Sequence, residues 1–267
     1  MTHARTSPAS RQRQEHIHIG TSGWTYEQWR FGLYAGIPRS RWLSHYAHHF
    51  NAVEVNATFY HQLKPATFAG WRDGTPDSFR FTIKANRYLT HVKQLQFDDQ
   101  ALQRERSRAQ PLGRKLTAVL WQMPAGLHFH PDLLEAFAAR LEGWGETRHV
   151  LEFRHDSWFI PETAGLLARH RLAVCQSDAA DWPMWDAVTT DVVYVRLHGH
   201  RVTYSSPYSE EELEGWARRM RTWCGEGREV HVYFDNTDAG HAPRNAMRLA
   251  ALAGVSQTKQ EDVCRPS

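Results

Sequence analysis

Eight short apolar or β-branched runs, separated by stretches with helical periodicity, constrain the fold of this chain more than any other feature. The runs begin roughly 20–37 residues apart, a rhythm of strand and helix typical of a parallel sheet. We predict a single (β/α)8 TIM-like barrel of the α/β class, with irregular loops at its carboxyl-end mouth. The alternative is an open doubly wound sheet, but no glycine-rich phosphate fingerprint follows any strand. The predicted strands are Ile17–Gly20, Ala52–Asn56, Arg80–Ala85, Thr117–Gln122, His149–Arg154, Leu172–Ser177, Val192–His198 and Glu229–Phe234.

Proline and capping residues indicate where several helices begin. Pro131 and Pro161 stand where first-turn prolines belong, and Ser209 with Glu212 forms a capping-box pattern. The predicted helices are Pro38–Phe50, Leu133–Leu141, Leu166–His170, Leu213–Trp223 and Ala242–Ala253.

Length and composition indicate one domain. With 267 residues, 41% of them hydrophobic, the chain can bury one large core. We assign the barrel to residues 16–256, and predict that the polar ends, residues 1–15 and 257–267, are disordered. Three scattered cysteines, the absence of a secretory signal and the lack of a long apolar run predict a cytoplasmic protein without a membrane partner. A net charge of +3 does not favour nucleic acid as a partner, and the oligomeric state is left open.

Alternation along the strands predicts a charged barrel mouth. If the valines of Val53–Val55 face the helices, Glu54 and then Asn56 face inward. The same phase holds in three other strands, and each carries its charge near its carboxyl end, where barrel enzymes place their active sites. The inward set is completed by Lys84, Glu152, Arg154, Arg196 and His198, with Gln122, Asp178, Asp235 and Asn236 at further strand ends.

Six segments resemble the family called domain of unknown function 72, the YecE-like barrels. They follow one another over most of the chain: Ile19–Trp24, Val53–Tyr60, Lys84–His91, Glu152–Arg154 with Ser157–Trp158, Tyr194–Gly199 and Tyr233–Asn236. Ala125 and Asp235 depart from the family's usual proline and asparagine. The resemblance implies a barrel fold and no settled reaction.

Our leading hypothesis is an enzyme of isomerase, lyase or hydrolase type that performs acid–base chemistry on a small anionic or carbohydrate-like molecule. Buried carboxylates can have raised pKa values, and imidazole titrates near neutrality, so the catalytic candidates are Glu54, Glu152, Asp178 and His198. Arginine forks and lysine suit an anion. The binding candidates are Lys84, Arg154, Arg196, Asn56, Tyr60, Trp24, Trp158, Gln122, Asn236 and His91. In the alternative interpretation, each arginine only neutralises a neighbouring glutamate.

A divalent-metal sugar isomerase or phosphodiesterase-type hydrolase is the second hypothesis. Glu152, Asp178, His198 and Asp235 lie at strand ends and offer ligands for manganese, magnesium or zinc. Arg154 and Arg196 beside them would repel a dication. We therefore prefer, narrowly, a reaction without a cofactor.

A non-catalytic module that binds nucleic acid or protein is the third hypothesis. It requires a basic surface stripe. The chain offers one modest cluster, made of Arg104, Arg106, Arg108, Arg114 and Lys115.

Overall fold

A computed structural model describes residues 16–145 and 147–255 of the chain. Its eight strands form one parallel sheet in the order β1-β8-β7-β6-β5-β4-β3-β2, which confirms the predicted barrel. The strands are β1 Ile17–Thr21, β2 Ala52–Val55, β3 Arg80–Lys84, β4 Leu116–Gln122, β5 Arg148–Glu152, β6 Ala173–Ala179, β7 Val192–Gly199 and β8 Glu229–Phe234. The ends predicted to be disordered, residues 1–15 and 257–267, lie outside the described residues.

Helices cover the outer face of the sheet. The α-helices are α1 Trp42–His49, α2 Ala57–Tyr60, α3 Pro65–Asp73, α4 Asp99–Ala109, α5 Pro131–Leu141, α6 Pro161–Arg169, α7 Glu210–Gly225 and α8 His241–Ala253. Short 3-10 helices span Glu27–Phe31, Arg39–Arg41, Gln110–Lys115, Glu142–Trp144, Asp156–Trp158 and Asp238–Gly240, and a π-helical turn spans Tyr88–Val92.

The helix boundaries confirm the capping signals and correct two expectations. Pro131 and Pro161 occupy first turns, and the Ser209–Glu212 capping box is formed. The helix with Pro161 in its first turn ends at Arg169, one residue before the predicted His170. The connection from β6 to β7, residues 180–191, contains no helix, so the rhythm of strand and helix is broken once.

The main hydrophobic core lies between the sheet and the helices, and a smaller apolar cluster forms separately from it. That second cluster contains Ala52, Ala118, Leu120, Val150, Ala173, Cys175, Val192, Tyr194 and Tyr233. The residues of this second cluster lie on the inward faces of the strands, on which the charged residues of the mouth follow further along.

Side chains rather than a strand ladder close the barrel between β1 and β2. The Asn51 amide accepts a hydrogen bond from the Ile19 backbone (2.9 Å) and donates one to the Ile17 carbonyl (2.7 Å). The Tyr46 hydroxyl accepts from the Thr21 backbone N–H (2.8 Å) and donates to the Ala52 carbonyl (3.2 Å). Further along, a single bridge joins Ser22 to Glu54. We call this contact line the seam.

Glycine is required at the seam because the backbones approach closely there. A Cβ at Gly20 would lie 2.0 Å from the Ala52 carbonyl oxygen. Any side chain at this position would push β1 away from β2.

The Tyr46 hydroxyl should therefore contribute measurably to stability. We expect Tyr46→Phe to lower the free energy of unfolding by about 1–3 kcal/mol, because the buried Thr21 amide loses its acceptor. Chemical denaturation followed by circular dichroism measures this. Tyr88→Phe, which alters an exposed tyrosine, is the control and should stay close to wild type. Equal stability of Tyr46→Phe and wild type would contradict the assigned role of the seam.

Candidate functional site

The Arg196 guanidinium stands at the centre of the barrel mouth and contacts three carboxylates. Its Nη2 donates to Glu54 Oε1 (2.8 Å) and to Asp235 Oδ2 (2.9 Å), and its Nη1 donates to Glu152 Oε2 (3.0 Å). Its Nε donates to both oxygens of Glu54 at 3.1 Å. The side chain is 1% exposed. Arg196 therefore neutralises buried carboxylates, as the alternative interpretation of the arginines expected.

Neutral side chains satisfy the remaining oxygens of the two glutamates. Glu54 accepts hydrogen bonds from the Ser22 hydroxyl and the Tyr194 hydroxyl, each at 2.6 Å. Glu152 accepts one from the Gln122 amide (3.0 Å) and one from the Ser177 hydroxyl (2.8 Å). We call Arg196, Glu54, Glu152 and Asp235 the arginine cluster.

Charge pairing shifts the pKa values of three members of the arginine cluster, Glu152, Asp235 and Arg196. Burial alone would raise the pKa of Glu152, but Arg154 and Arg196 hold it well below its ordinary range. The pKa of Asp235 is also lowered, by Arg196 and His198 against the effect of burial. The three carboxylates conversely hold the pKa of Arg196 well above its usual value. The expectation that burial raises the pKa of Glu152 is therefore wrong, and this carboxylate stays ionised.

His198 lies beside the arginine cluster and beneath two loops. Its Nδ1 is 3.1 Å from Asp235 Oδ2, and its Nε2 is 3.2 Å from Arg196 Nη1. The rings of Trp182 and Tyr204 contact the imidazole edge-on, at centroid distances of 4.5 and 5.6 Å. His198 is fully buried, so access to it requires movement of this cover.

The two covering loops are attached to each other. The Thr203 hydroxyl donates to Asp181 (2.5 Å) and accepts from the Ala180 backbone (3.2 Å). The turn that presents Tyr204 needs glycine at its start: Gly199 has φ +104°, and a Cβ there would lie 2.6 Å from the Val202 carbonyl oxygen. The mouth is thus covered by one linked unit.

Lys84 differs from Arg196 because its charge is not paired. Its ammonium lies 4.1 Å from the centroid of the Phe59 ring. Among the described residues, no carboxylate oxygen approaches it within 4.0 Å, and it makes no hydrogen bond. Burial and the nearby Arg196 charge lower the pKa of Lys84 to about 8, although Glu152, Glu54 and Asp235 oppose the shift. A buried, unpaired ammonium is costly and is characteristic of functional sites.

Arg154 combines one ion pair with unused donors. Its Nη2 lies 2.9 Å from Glu152 Oε1, and its guanidinium stacks on Trp182 at 3.3 Å from the ring centroid. Its Nε is buried and has no hydrogen-bond partner. The pKa of His91 is lowered by burial and then by the charges of Lys84, Arg87 and Arg154. His91 therefore marks a positively charged part of the mouth.

Asp178 is not part of the arginine cluster. In β6, Ser177 contacts Glu152, so the next residue points to the other side of the strand. There Asp178 pairs with His200 at 2.8 Å. The prediction that Asp178 converges with Glu54 and Glu152 is wrong, because Ser177 takes the inward position at this end of β6.

The metal-ligand set at the mouth is consequently not assembled. Asp178 faces away, and the Arg196 guanidinium occupies the space among Glu54, Glu152 and Asp235. Within the described ranges, one group of three metal-ligating side chains has its ligand atoms within 4.8 Å of one another. It consists of His18, Glu229 and His231, at the opposite end of the barrel.

Several predicted binding residues are structural. Trp158 is fully buried and stacks on Phe153, and Trp24 packs edge-on against Trp71. Asn236 donates to the Ser206 carbonyl and to Asn245. The two tryptophans are therefore not placed to stack on a ligand, whereas Asn236 keeps a buried Oδ1 without a hydrogen-bond partner.

Two other predicted binding residues, Tyr60 and Asn56, remain available to a ligand. One residue of the site, Tyr204, was not predicted from the sequence. Tyr60 is 61% exposed, and Asn56 has a buried Oδ1 without a partner. Tyr204 follows the Gly199 turn and has φ +66°, a conformation that its sequence did not indicate.

The basic stripe of the third hypothesis is dispersed. Lys115 is buried and donates to the carbonyls of Arg72 and Thr75. Arg106 donates to Gly143, while Arg108 bonds to Gln62 on another element. These side chains hold neighbouring segments together.

Comparison with known proteins gives a family without an assigned reaction. The family model "Protein of unknown function DUF72" matches residues 18–266. UPF0759 protein YecE of Escherichia coli K12 is 33% identical over 145 residues, which cover 54% of this chain and 50% of that protein. The chain thus matches about half the length of YecE. UPF0759 protein YunF of Bacillus subtilis is 25% identical over 90% of this chain and 95% of its own length.

Solved structures share the fold. A DUF72 family protein from Thermotoga maritima has a TM-score of 0.79 at 28% identity, covering 89% of this chain and 99% of that one. A DUF72 family protein from Enterococcus faecalis has a TM-score of 0.80 at 20% identity, with 92% and 100% covered. In the described part of the chain, no helix is long and apolar enough to cross a membrane.

Removing the Arg196 guanidinium should first of all lower the stability of the protein. We expect Arg196→Met to lower the free energy of unfolding by about 3–5 kcal/mol, because three buried carboxylates lose their counter-charge. Urea denaturation measures this. Arg218→Met, which removes an exposed guanidinium on α7, is the control and should change stability by less than about 1 kcal/mol. An Arg196→Met protein as stable as wild type would show that the cluster does not depend on this charge.

Proposed function

The chain belongs to the DUF72 family, and we propose that its barrel mouth is an active site for acid–base chemistry on a small anionic or polyhydroxylated molecule. The position supports this, because barrel enzymes place their reacting groups at the carboxyl ends of the strands. What the mouth binds and converts is our inference from the chemistry of its side chains.

The unpaired ammonium of Lys84 carries the proposal. Each carboxylate of the arginine cluster already has a cationic partner, whereas Lys84 is 7% exposed and has no ionic partner within 4.0 Å among the described residues. An anion placed beside Lys84 would supply the missing charge. The binding free energy of that anion would offset the cost of burying the lysine.

Arg154 is the second cation that we assign to the substrate. Its unpartnered Nε and its fixed position against Trp182 make it a preorganised donor. The charges of Lys84 and Arg154 both lower the pKa of His91. We infer that the two cations face the same space and that one small anion can interact with both. Phosphate and carboxylate groups are the natural ligands of such a pair.

Lys84 is also the proton-transfer group that the site supports best. A pKa of about 8 leaves an appreciable fraction of neutral amine near physiological pH, as a general base requires. Glu54 and Glu152 are saturated by donors, and His198 is buried under Trp182 and Tyr204. We therefore assign Glu54 and Glu152 to electrostatic positioning, and Lys84 with His91 to proton transfer.

Hydroxyl groups of a substrate would find neutral partners at the same mouth. The buried Oδ1 of Asn56 lacks a donor, and the aromatic rings of Trp182 and Tyr204 cover His198. Such a combination suits a polyhydroxylated molecule with one charged group.

The arrangement favours a reaction without a metal at the mouth. A divalent ion among Glu54, Glu152 and Asp235 would have to displace the Arg196 guanidinium. Such a displacement would leave a buried cation without its partners.

Anion binding should depend on Lys84 and on its protonation. We use sulfate as the probe, because its charge is constant over the working pH range. We expect affinity for sulfate to fall as pH rises through about 8, where the ammonium deprotonates. Isothermal titration at about pH 6.5 and about pH 9.5 measures this, well to either side of that pKa.

Two variants make the test specific. Lys84→Met should weaken sulfate binding at the lower pH about tenfold or more, the equivalent of one charge-assisted hydrogen bond, and should remove the pH dependence. Lys93→Met, which changes a nearby exposed lysine, should behave like wild type. If Lys84→Met binds sulfate as wild type does, the anion site lies elsewhere and the proposal fails. If sulfate binding depends on Lys84 as expected, the next step is to measure binding and turnover of a panel of phosphorylated sugars and sugar acids to find the substrate.

A further inference from the structure

Three potential metal ligands meet at the amino-terminal end of the barrel, far from the arginine cluster. His18 of β1 and His231 of β8 are register partners on neighbouring strands. Glu229 precedes His231 by two residues, so the two side chains leave β8 on the same face. We call His18, Glu229 and His231 the floor triad.

The ligand atoms of the floor triad converge on a single point. The Nε2 atoms of His18 and His231 lie 3.0 and 2.9 Å from the same oxygen, Oε1 of Glu229. The two imidazole rings are 4.5 Å apart between centroids. Zinc bonds of about 2.0–2.2 Å in a tetrahedral site place neighbouring ligand atoms about 3.4 Å apart, so a small ion fits once these side chains shift by a few tenths of an ångström, without rearrangement of the strands.

Neighbouring groups hold His231 in place as outer partners of a metal ligand do. Its Nδ1 lies 3.2 Å from the Tyr233 hydroxyl, which in turn lies 3.1 Å from the Thr82 hydroxyl. The ring also stacks against Tyr194, with a centroid distance of 5.8 Å. This arrangement fixes the ring plane and directs Nε2 toward Glu229, where a metal would bind.

Solvent reaches the floor triad from one side. The two histidine side chains are buried, whereas the Glu229 side chain is 26% exposed. A metal ion could enter beside Glu229 and complete its coordination with water. Arg80 also acts on His18, but its guanidinium is held by the carbonyls of Asp77 and Phe79.

We propose that the floor triad binds one divalent transition-metal ion of the zinc class and that this ion fastens β1 to β8. Two imidazoles and one carboxylate form the donor set that such ions prefer. The competing explanation is a hydrogen-bonded triad in which Glu229 accepts from both histidines. It leaves the buried Nδ1 of His18 without a partner, as the metal site also does, so this atom does not separate the two explanations.

The experiment is a titration of the full chain with cobalt(II), then zinc, after removal of metal with a chelator. Cobalt(II) reports its ligands through its visible spectrum. We expect one ion for each chain, nitrogen and oxygen ligands, and a rise of Tm when zinc is added. No stoichiometric binding, or a sulfur-to-cobalt charge-transfer band that places the ion on cysteine, would overturn the proposal.

Two variants locate the ion. Glu229→Gln keeps the shape of the triad and removes one direct ligand. We expect it to weaken zinc binding more than about tenfold, because loss of a residue that only supports a ligand already weakens metal binding by about that factor. His49→Gln is the matched control, because His45 and His49 form a second histidine pair, 3.2 Å apart, on α1. Loss of the ion in His49→Gln, with retention in Glu229→Gln, would assign the metal to α1 and refute the floor site. If Glu229→Gln does not fold, the cobalt spectrum and the zinc-dependent Tm of the unaltered chain decide the question.

Discussion

The buried guanidinium of Arg196 is the constraint on which the mouth of this barrel depends. Carboxyl groups from β2, the end of β5 and the segment after β8 all point at one cation, and their burial would be strongly destabilising without it. Strand positions around much of the barrel are therefore fixed relative to one side chain. Arg196 and Lys84 differ in this respect. Arg196 is surrounded by carboxylates and stabilises the fold, whereas the charge of Lys84 is left available to a ligand.

Much of the fold and part of the site could be predicted from the sequence. Strand patterns identified all eight strands, because apolar runs of this length between turn signals suit few other structures. The period of two correctly sent Glu54, Glu152 and Arg196 to the interior, since side-chain direction in a strand is fixed by position. The position of Asp178 directly after the sixth predicted strand does not say which way it points, and in the structure Ser177 is the inward residue.

The roles of these residues could not be predicted, because they depend on distances between strands far apart in the chain. Nothing local distinguishes Arg196, with three carboxylates around it, from Lys84, with none within 4.0 Å in the described chain. Tryptophan is equally ambiguous: Trp158 fills the core, whereas Trp182 covers Arg154 from a loop without regular structure. The floor triad was missed because its histidines belong to the first and last strands, which become neighbours only when the barrel closes.

The seam gives the barrel wall an uneven strength around its circumference. Elsewhere neighbouring strands share a ladder of backbone hydrogen bonds, but β1 and β2 are joined mainly through Tyr46 and Asn51. Local opening requires the least free energy where few backbone hydrogen bonds must break, so β1 and β2 should separate before other neighbouring strands do. Ser22 lies at the seam and also donates a hydrogen bond to Glu54. Opening of the seam would therefore remove one hydrogen-bond donor from the arginine cluster. The mechanical weak point of the barrel and the electrostatic balance of its mouth are in this way one coupled system.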